Sequence, residues 1–559
     1  MNMTGAELIM RLLERQGITT IAGIPGGANL PMYDAFHTSS IQHILVRHEQ
    51  AAGFMAQGMA RTTGLPAVCF ATSGPGATNI LTAIADAKLD SVPVICITGQ
   101  VPTGLIGSDA FQEIDTYGLT VPITKHNYLV RTVEELLTVI PDAFRIAMSG
   151  RPGPVVIDVP KDVQSARIEF DAYPEPGAPD APPRFSHDDI FRAAGLINAS
   201  EKPVIYAGAG IIGSNAAPAL HALAEKASIP VACTLLGLGS MPDSHPLYLG
   251  MLGMHGSRGT NMIMEECDLV IALGVRFDDR ATGKAAEFCP KAHIIHIDID
   301  RSELGKIKLP MLGIEADVRL AIEALLPEVG ADKRSDWTAR TTELREAHPM
   351  AMPGADDLLT PYGIIRQTAA MLDDDAIIST DVGQHQMWTA QAYPFTYPRQ
   401  WLTSGGLGTM GFGLPTAIGA AVAFPERTSV CFSGDGSILM NIQELATAVE
   451  INANVKIVLL NNGHLGLVRQ QQELFYGARY MASRFEARPD FATIARGFGM
   501  AACDLANEAN PAEALAAALR QPGPCFINVP IAEEDCVFPM VPPGAANHTM
   551  IGGETHATA

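Results

Sequence analysis

Two residues, Asp435 and Asn462, carry the clearest chemistry in the sequence. Each follows a short apolar run that reads as a buried strand. Val430-Cys431-Phe432 precedes the turn Gly434-Asp435-Gly436, and Val455 to Leu460 precedes Asn461-Asn462. A proline-free helical stretch lies between them. In a parallel α/β sheet the carboxyl ends of both strands share one rim, and ligands bind outside it. A carboxylate and an amide oxygen facing one point are hard donors suited to Mg²⁺, which takes its other ligands from phosphate and water. The glycines flanking Asp435 let backbone N–H groups approach a phosphate. Gly-Asp-Gly and Asn-Asn are each ordinary turn sequences when they stand alone. One β-α-β unit apart, they form a joint signal.

Glu49 is the second candidate. It stands in Arg47-His48-Glu49, between the predicted strand Ile41 to Val46 and a helix rich in small residues, Gln50 to Ala60. The plain reading is a first-turn glutamate favoured by the helix dipole. Its neighbours Val46, Ala51, Ala52 and Phe54 are apolar or small, a setting that disfavours a charged carboxyl.

These residues need strands to bring them to a rim, and the chain supplies them. An amphipathic helix (Thr4 to Gln16) leads into strands Ile18 to Ala22, Ile41 to Val46, Ala67 to Ala71 and Val92 to Thr98, with helices between. Such alternation predicts a mostly parallel sheet. The unit strand, glycine turn, Asn79-Ile80, helix, strand, Gly99-Gln100 has the same layout as strand, glycine turn, Asn441-Ile442, helix, strand, Asn461-Asn462. Two similar end domains are therefore expected. Proline-rich seams at Tyr173 to Pro183 and Pro349 to Pro361 set off a middle domain. The resulting division is 1–172, 186–345 and 358–545, the last with an extended arm from Val537 to Asn547. In the middle domain Gly208, Gly210 and Gly213 match G-x-G-x-x-G after a strand. The acidic residue expected about 20 positions on is missing, which speaks against a standard dinucleotide site. The segments Leu269 to Arg280 and His293 to Asp300 read as strands ending in charge at a rim, for which the bland reading is solvated ion pairs. Gly405 to Gly413 is a glycine-dense loop leading into a helix, Ala417 to Ala423.

The totals bound the class. A chain of 559 residues is too long for one core. A net charge of −22 argues against nucleic acid and anionic membrane as partners, though not against a small anionic substrate in a local pocket. No apolar run reaches membrane-spanning length. The first residues lack a signal-peptide core. Nine cysteines without metal-ligand spacing fit a reducing cytosol, so a cytoplasmic location is expected.

With GDG, a helix and NN in this order, the chain resembles the thiamine-diphosphate enzymes. The motifs narrow the likeness to the large subunits of the acetohydroxyacid synthase (acetolactate synthase) family: GIPGGA (23–28), RHEQAAGFMAQGMAR (47–61), ATSGPGATN (71–79), DAFQE (109–113), SGRPGPVVIDVPKDVQ (149–164), GMLGMHG (250–256), GVRFDDRATG (274–283), GLGTMGFGLP (406–415), NNGHLGLV (461–468) and PMVPPGAAN (539–547). The resemblance implies three doubly wound, mostly parallel α/β domains and the cofactors thiamine diphosphate, Mg²⁺ and a non-redox FAD. Its activity is decarboxylation of pyruvate through an enamine and ligation to a second 2-ketoacid. That gives acetolactate, or acetohydroxybutyrate from 2-ketobutyrate, for branched-chain amino-acid biosynthesis.

Carried over, Asp435, Asn462 and the His464 carbonyl hold Mg²⁺. Gln384, His385, Gly436 and Ser437 hold the diphosphate, within segments that include Gly434, Leu465 and Gly466. Met410, beside Gly408, supports the bent cofactor. Glu49 faces the aminopyrimidine. Gly26 and Gln112 line the reaction centre and Phe111 packs on substrate. Lys161 and Arg276 bring positive charge to the ketoacid carboxylates. Arg151, Met254, His255, Gly274, Arg276, Asp278, Arg280, Asp298 and Asp317 fall in FAD-binding segments, with the Gly208 and Gly210 turn beside them. One position departs: where the family often has a tryptophan favouring 2-ketobutyrate, this chain has Gln471, and weak acceptor preference is expected. The family builds each site from two chains, so a homodimer or homotetramer is implied, with room for a separate small regulatory subunit. Flavin-bearing pyruvate oxidases remain the nearest rival. Glyoxylate carboligases lack the glutamate, flavin-free acetolactate synthases lack the RFDDR segment, and a silent cofactor-binding subunit is the rival of another class.

Overall fold

A computed structural model describes residues 1–552. Strand β1 (Asn2–Thr4) runs into the helix Gly5–Arg15, whose start is fixed by a capping box between Thr4 and Glu7. Six strands then form a parallel sheet: β2 (Thr20–Gly23), β3 (Gln42–Leu45), β4 (Ala67–Ala71), β5 (Val94–Gln100), β6 (His126–Leu129) and β7 (Val155–Pro160). Their order is β3-β2-β4-β5-β7-β6. β8 (Arg167–Glu169) returns antiparallel to β1. The central strands β4, β5 and β7 are buried along their whole length, as apolar runs covered on both faces must be.

The middle sheet contains β9 (Pro203–Ala207), β10 (Val231–Cys233), β11 (Tyr248–Met251), β12 (Leu269–Leu273), β13 (His293–Asp298) and β14 (Leu312–Glu315). It runs β11-β10-β9-β12-β13-β14, the order of dinucleotide-binding sheets. The last sheet contains β15 (Ile377–Thr380), β16 (Trp401–Leu402), β17 (Ser429–Gly434), β18 (Val455–Asn461), β19 (Ala501–Asp504) and β20 (Cys525–Pro530). Its order, β16-β15-β17-β18-β20-β19, repeats that of the first sheet strand for strand. The expected three parallel-sheet α/β units are present, and the two end units share one topology. Among the described residues no helix is long and apolar enough to cross a membrane.

The end units are pressed together by two helices. Glu49–Thr63 crosses Gly413–Ala423 so closely that a β-carbon at Gly58 would strike the Thr416 carbonyl, and one at Gly419 the Met55 carbonyl. Phe54 meets Phe412 edge-on at 5.3 Å. Polar contacts frame this apolar seam. Arg61 pairs with Asp90 at 2.8 Å, and Asp90 also accepts the N–H groups of Gly405 and Gly406. Buried Asp86 accepts from the hydroxyls of Ser404 and Thr409. The glycine-dense loop is thus held by the first unit.

The expected single helix between Asp435 and Val455 is instead two short ones, Asp435–Ile438 and Glu444–Glu450. The break lies at Asn441, whose side-chain amide donates to the Gly411 carbonyl at 2.7 Å. A side chain recruited for a tertiary contact outcompetes the local helix.

Candidate active site

In each of the three sheets strand order reverses at one point, where open α/β sheets leave a ligand-binding crevice, and most candidate residues follow strands on that rim. In the first sheet the crevice lies between β2 and β4. Gly26 follows β2 and Thr72 follows β4, and a β-carbon at Gly26 would lie 2.5 to 2.6 Å from the Thr72 side chain. Thr72 also closes on Gly76, where a β-carbon would stand 3.4 Å from Glu49 Oε1. Half-buried Glu49 begins its helix after β3, and its Oε2 accepts from the Asn79 amide at 3.0 Å. Gln112 lies over Gly74 with a left-handed backbone (φ 59°), as does Asp109 (φ 56°). Non-glycine residues held there mark a constrained loop. Glu113 fixes that loop through the N–H groups of Ser108 and Ala110. Phe111 projects from it, 88% exposed. Lys161 follows β7 on the same rim and is half-buried. The hydroxyls of Thr72 and Ser73 are buried without a hydrogen-bond partner. They are polar atoms available to a ligand.

In the last sheet the equivalent crevice lies between β15 and β17. Asp435 is buried; burial pushes its carboxyl up to about 6, against the pull of nearby backbone N–H groups. Its oxygens accept from Gly463 N–H at 2.6 Å and Gly436 N–H at 3.0 Å. Asn462 follows β18 beside it. The Asn462 amide nitrogen donates to Gln384 Oε1 at 3.1 Å, and its oxygen accepts the His464 N–H at 3.1 Å. Ser437 bonds the Val382 carbonyl at 2.8 Å, locking the two strand ends together. His385 is buried, and burial drives its imidazole down to about 3, so the ring is neutral at physiological pH. Its Nε2 has no partner within the chain. Gly434 lies against this ring and Gly436 against Leu465, with no space for side chains. Gly466 lies against Gln384. A carboxylate and amide pair, a neutral imidazole with a free nitrogen and a floor of glycines fit Mg²⁺ and a diphosphate.

Met410 and Gly408 ride on the glycine-dense loop. Asp381, fully buried after β15, accepts from the N–H groups of Gly411 (2.7 Å) and Gly413 (3.2 Å) and from Ser433 (2.8 Å). Gln471 is exposed on the helix Gly466–Phe475 and lines a cavity of about 290 Å³ with Val468, Gln472, Tyr476 and Arg479. Among the described residues no hydrogen bond joins the Glu49 group to the Asp435 group within the chain; the nearest link is Asn441 to Gln50 at 3.4 Å.

In the middle sheet Gly208 and Gly210 pack directly on the backbone of Gly274, so strand-end packing alone requires them to be glycine. Arg276 is half-buried after β12. Asp278 caps the helix Asp279–Thr282, and Asp317 caps Val318–Leu325. Met254 and exposed Arg280 touch one another, Nη1 to Sδ at 3.8 Å. Buried His255 faces the Pro539 carbonyl at 3.1 Å, and burial lowers its imidazole to about 4. Asp298 is buried and raised to about 6, contrary to a solvated rim. Arg151 reaches across from the first unit to Asp300 (3.2 Å) and Glu303 (2.7 Å). Beside these residues Glu303 Oε2 and His296 Nδ1 are buried without partners, so this rim also offers polar atoms to a ligand.

Several participants escape a reading of the sequence alone. Thr72 and Asn79 lie inside a recognised motif, and only the fold separates them from their neighbours, through an orphaned hydroxyl and a bond to Glu49. Asp86, Glu303 and Gln470 carry no local signal, because their roles depend on partners distant in the chain or on a rim only the fold creates.

Comparison with known proteins agrees with this three-unit fold. Residues 3–119 match the N-terminal thiamine pyrophosphate (TPP) binding domain of thiamine pyrophosphate enzymes, residues 190–325 the central domain, and residues 381–529 the C-terminal TPP binding domain. The acetolactate synthase isozyme 1 large subunit of Escherichia coli (strain K12) is 60% identical over 98% of each chain. The isozyme 2 large subunit of the same organism is 44% identical, covering 98% of this chain and 99% of its own. A probable acetolactate synthase large subunit of Methanocaldococcus jannaschii is 46% identical, covering 97% and 94%.

Proposed function

From the premise that this chain belongs to the thiamine pyrophosphate enzymes, among the acetolactate synthase large subunits, we propose that it condenses two molecules of pyruvate to acetolactate and CO₂. The observation that carries this reading is the pairing of equivalent crevices. One presents Glu49, the other Asp435, Asn462 and His385, on sheets of identical strand order.

Thiamine diphosphate, once bound, supplies the electron sink that decarboxylation of a 2-ketoacid needs. The chain does the rest. Asp435, Asn462 and the His464 carbonyl hold Mg²⁺. His385, Ser437 and the backbone at Gly434 and Gly436 hold the diphosphate. Gln384, its side-chain N–H groups engaged by Gln470 and Asp535, supports that site through Asn462, and Leu465 and Gly466 close the pocket. Met410 and Gly408 support the cofactor from the loop that Asp381 pins. Glu49 hydrogen-bonds the pyrimidine ring through its carboxyl, oriented by Asn79. Gly26, packed on Thr72, and Gln112 line the reaction centre, and Phe111 packs against the substrate. Lys161 and Arg276 attract the ketoacid carboxylates. FAD is assigned to the middle rim, to Arg151, Met254, His255, Gly274, Arg276, Asp278, Arg280, Asp298 and Asp317, beside Gly208 and Gly210. The unpartnered Glu303 and His296 atoms support that assignment. We assign the three domains to 1–172, 186–345 and 358–545. The working unit is a homodimer or homotetramer in the cytoplasm, and relatives named as large subunits support a small-subunit partner.

The test is pyruvate turnover with thiamine diphosphate, Mg²⁺ and FAD under nitrogen, assayed for acetolactate. Acetolactate formed without oxygen is expected. Pyruvate loss only in air, with acetate or peroxide formed, would make the protein an oxidase. Glu49→Gln is expected to lose at least about 100-fold in kcat, the scale of an acid–base partner. Near-parent turnover at saturating cofactor would remove Glu49 from the mechanism.

A further inference from the structure

Helix Gly466–Phe475 follows the candidate metal loop and buries one side chain completely, that of Gln470. An amide with no solvent contact must find all its partners inside the protein, and Gln470 does so in two directions. Toward the cofactor crevice, its Oε1 accepts from Gln384 Nε2 at 3.2 Å. Toward the C-terminal arm, Oε1 accepts the Val537 N–H at 2.9 Å and Nε2 donates to the Val537 carbonyl at 2.8 Å. Gln384 spends its second donor contact on the Asp535 carbonyl at 2.8 Å. Its oxygen is therefore the end presented to the Asn462 amide nitrogen. With its nitrogen engaged, Asn462 is left with its oxygen as the atom for a cation. The order of amide ends along Gln470, Gln384 and Asn462 is fixed from the arm inward.

The arm is fastened on its other side to the middle unit. Val541 N–H donates to the Met254 carbonyl at 2.9 Å, His255 Nδ1 faces the Pro539 carbonyl, and Gln391 donates to the carbonyls of His255 and Phe538. We infer that Gln470 is a positioning residue. It sets the amide of Gln384, and through it the metal-binding face of Asn462, against the C-terminal arm. This rests on the reading of Asp435 and Asn462 as the metal pair. Residues that orient metal ligands typically change metal affinity 10- to 100-fold when removed.

The experiment is titration of the whole protein with Mg²⁺ at saturating thiamine diphosphate, following heat by calorimetry, alongside thermal unfolding of the cofactor-free protein. Gln470→Met keeps the packing and removes the polar contacts; its Mg²⁺ dissociation constant is expected to rise about 10- to 100-fold. Gln470→Leu removes the same polar contacts with a shorter apolar side chain, and is expected to weaken Mg²⁺ to the same extent. A dissociation constant within twofold of the parent, in whichever of these two variants folds, overturns the inference. Asp435→Asn in the same titration separates the two levels of the argument. If it abolishes binding while Gln470→Met does not weaken it, only the positioning role fails. If it binds as the parent does, the metal-site reading fails.

Discussion

Replacing Gly466 by alanine tests the cofactor crevice without substituting a proposed metal or diphosphate ligand. Gly466 is the first residue of its helix and does not need a left-handed backbone. On propensity alone alanine is favoured in a helix by about 1 kcal/mol. Yet its β-carbon would overlap Gln384 Oε1 and lie 3.1 Å from Asn462 Nδ2. Gln384 is buried and held at three points: Asn462 at 3.1 Å, Gln470 at 3.2 Å and Asp535 at 2.8 Å. To make room it must give up two or three of these bonds, each worth about 1 kcal/mol net. A loss of about 2–3 kcal/mol, borne by the cofactor-bound form, corresponds to roughly 30- to 150-fold weaker binding. Thiamine diphosphate titrated in excess Mg²⁺ gives the constant directly, and Trp388, on the helix that begins at Gln384, offers an intrinsic fluorescence signal. A dissociation constant within threefold of the parent would show that Gln384 does not support the metal pair, and the crevice as described would be wrong.

Other outcomes follow from the same geometry. Gln471→Trp fills part of the 290 Å³ cavity and should raise the acetohydroxybutyrate to acetolactate ratio by about tenfold in a two-ketoacid competition, since one methylene is worth ~1–3 kcal/mol; an unchanged ratio removes position 471 from acceptor choice. Arg151→Ala strips buried Glu303 of its nearer cation, leaving Lys306, and should lower both FAD content, read by absorbance per chain, and the unfolding temperature; full flavin occupancy would contradict the assignment of that rim. Burial raises Asp158 from 3.8 to about 7, so the folded chain binds this proton more tightly than the unfolded one. Its contribution to stability should therefore rise as pH falls from about 7 toward 4, by at most about 1.4 kcal/mol per pH unit. Asp158→Asn should flatten that slope in denaturant melts taken across the window, and an unaltered slope would mean Asp158 titrates normally.

How far the sequence reveals this protein depends on the range of each interaction. Asp435 and Asn462 are legible because parallel strands send their carboxyl ends to one rim, and the turns after those strands are short and polar. The three-sheet plan is legible from apolar runs such as Ala67–Ala71 and Leu269–Leu273, buried on both faces. Edge strands are not: β11, β14, β16 and β19 run only two to four residues, too few to show a period. The Asn441 break is hidden because its cause, the Gly411 carbonyl, lies 30 residues away. Asp298 looks like a solvated rim charge and is buried instead, because the elements that cover β13 are set by packing. The roles of Asp86 and Gln470 likewise arise only when distant segments meet.

The shared strand order of the two end sheets bears on how the chain reaches its native state. Folding rate follows topology more closely than sequence. Sheets built as β3-β2-β4-β5-β7-β6 and β16-β15-β17-β18-β20-β19 confront the same set of loop closures, so they should form on similar timescales. The seam between the helices Glu49–Thr63 and Gly413–Ala423, by contrast, joins segments far apart in the chain, so its larger loop-closure cost should place its docking after the sheets. With glycines on each side admitting no β-carbon, that late docking step tolerates little error. During refolding the two end units should therefore gain protection from hydrogen exchange together, and the seam should gain it last.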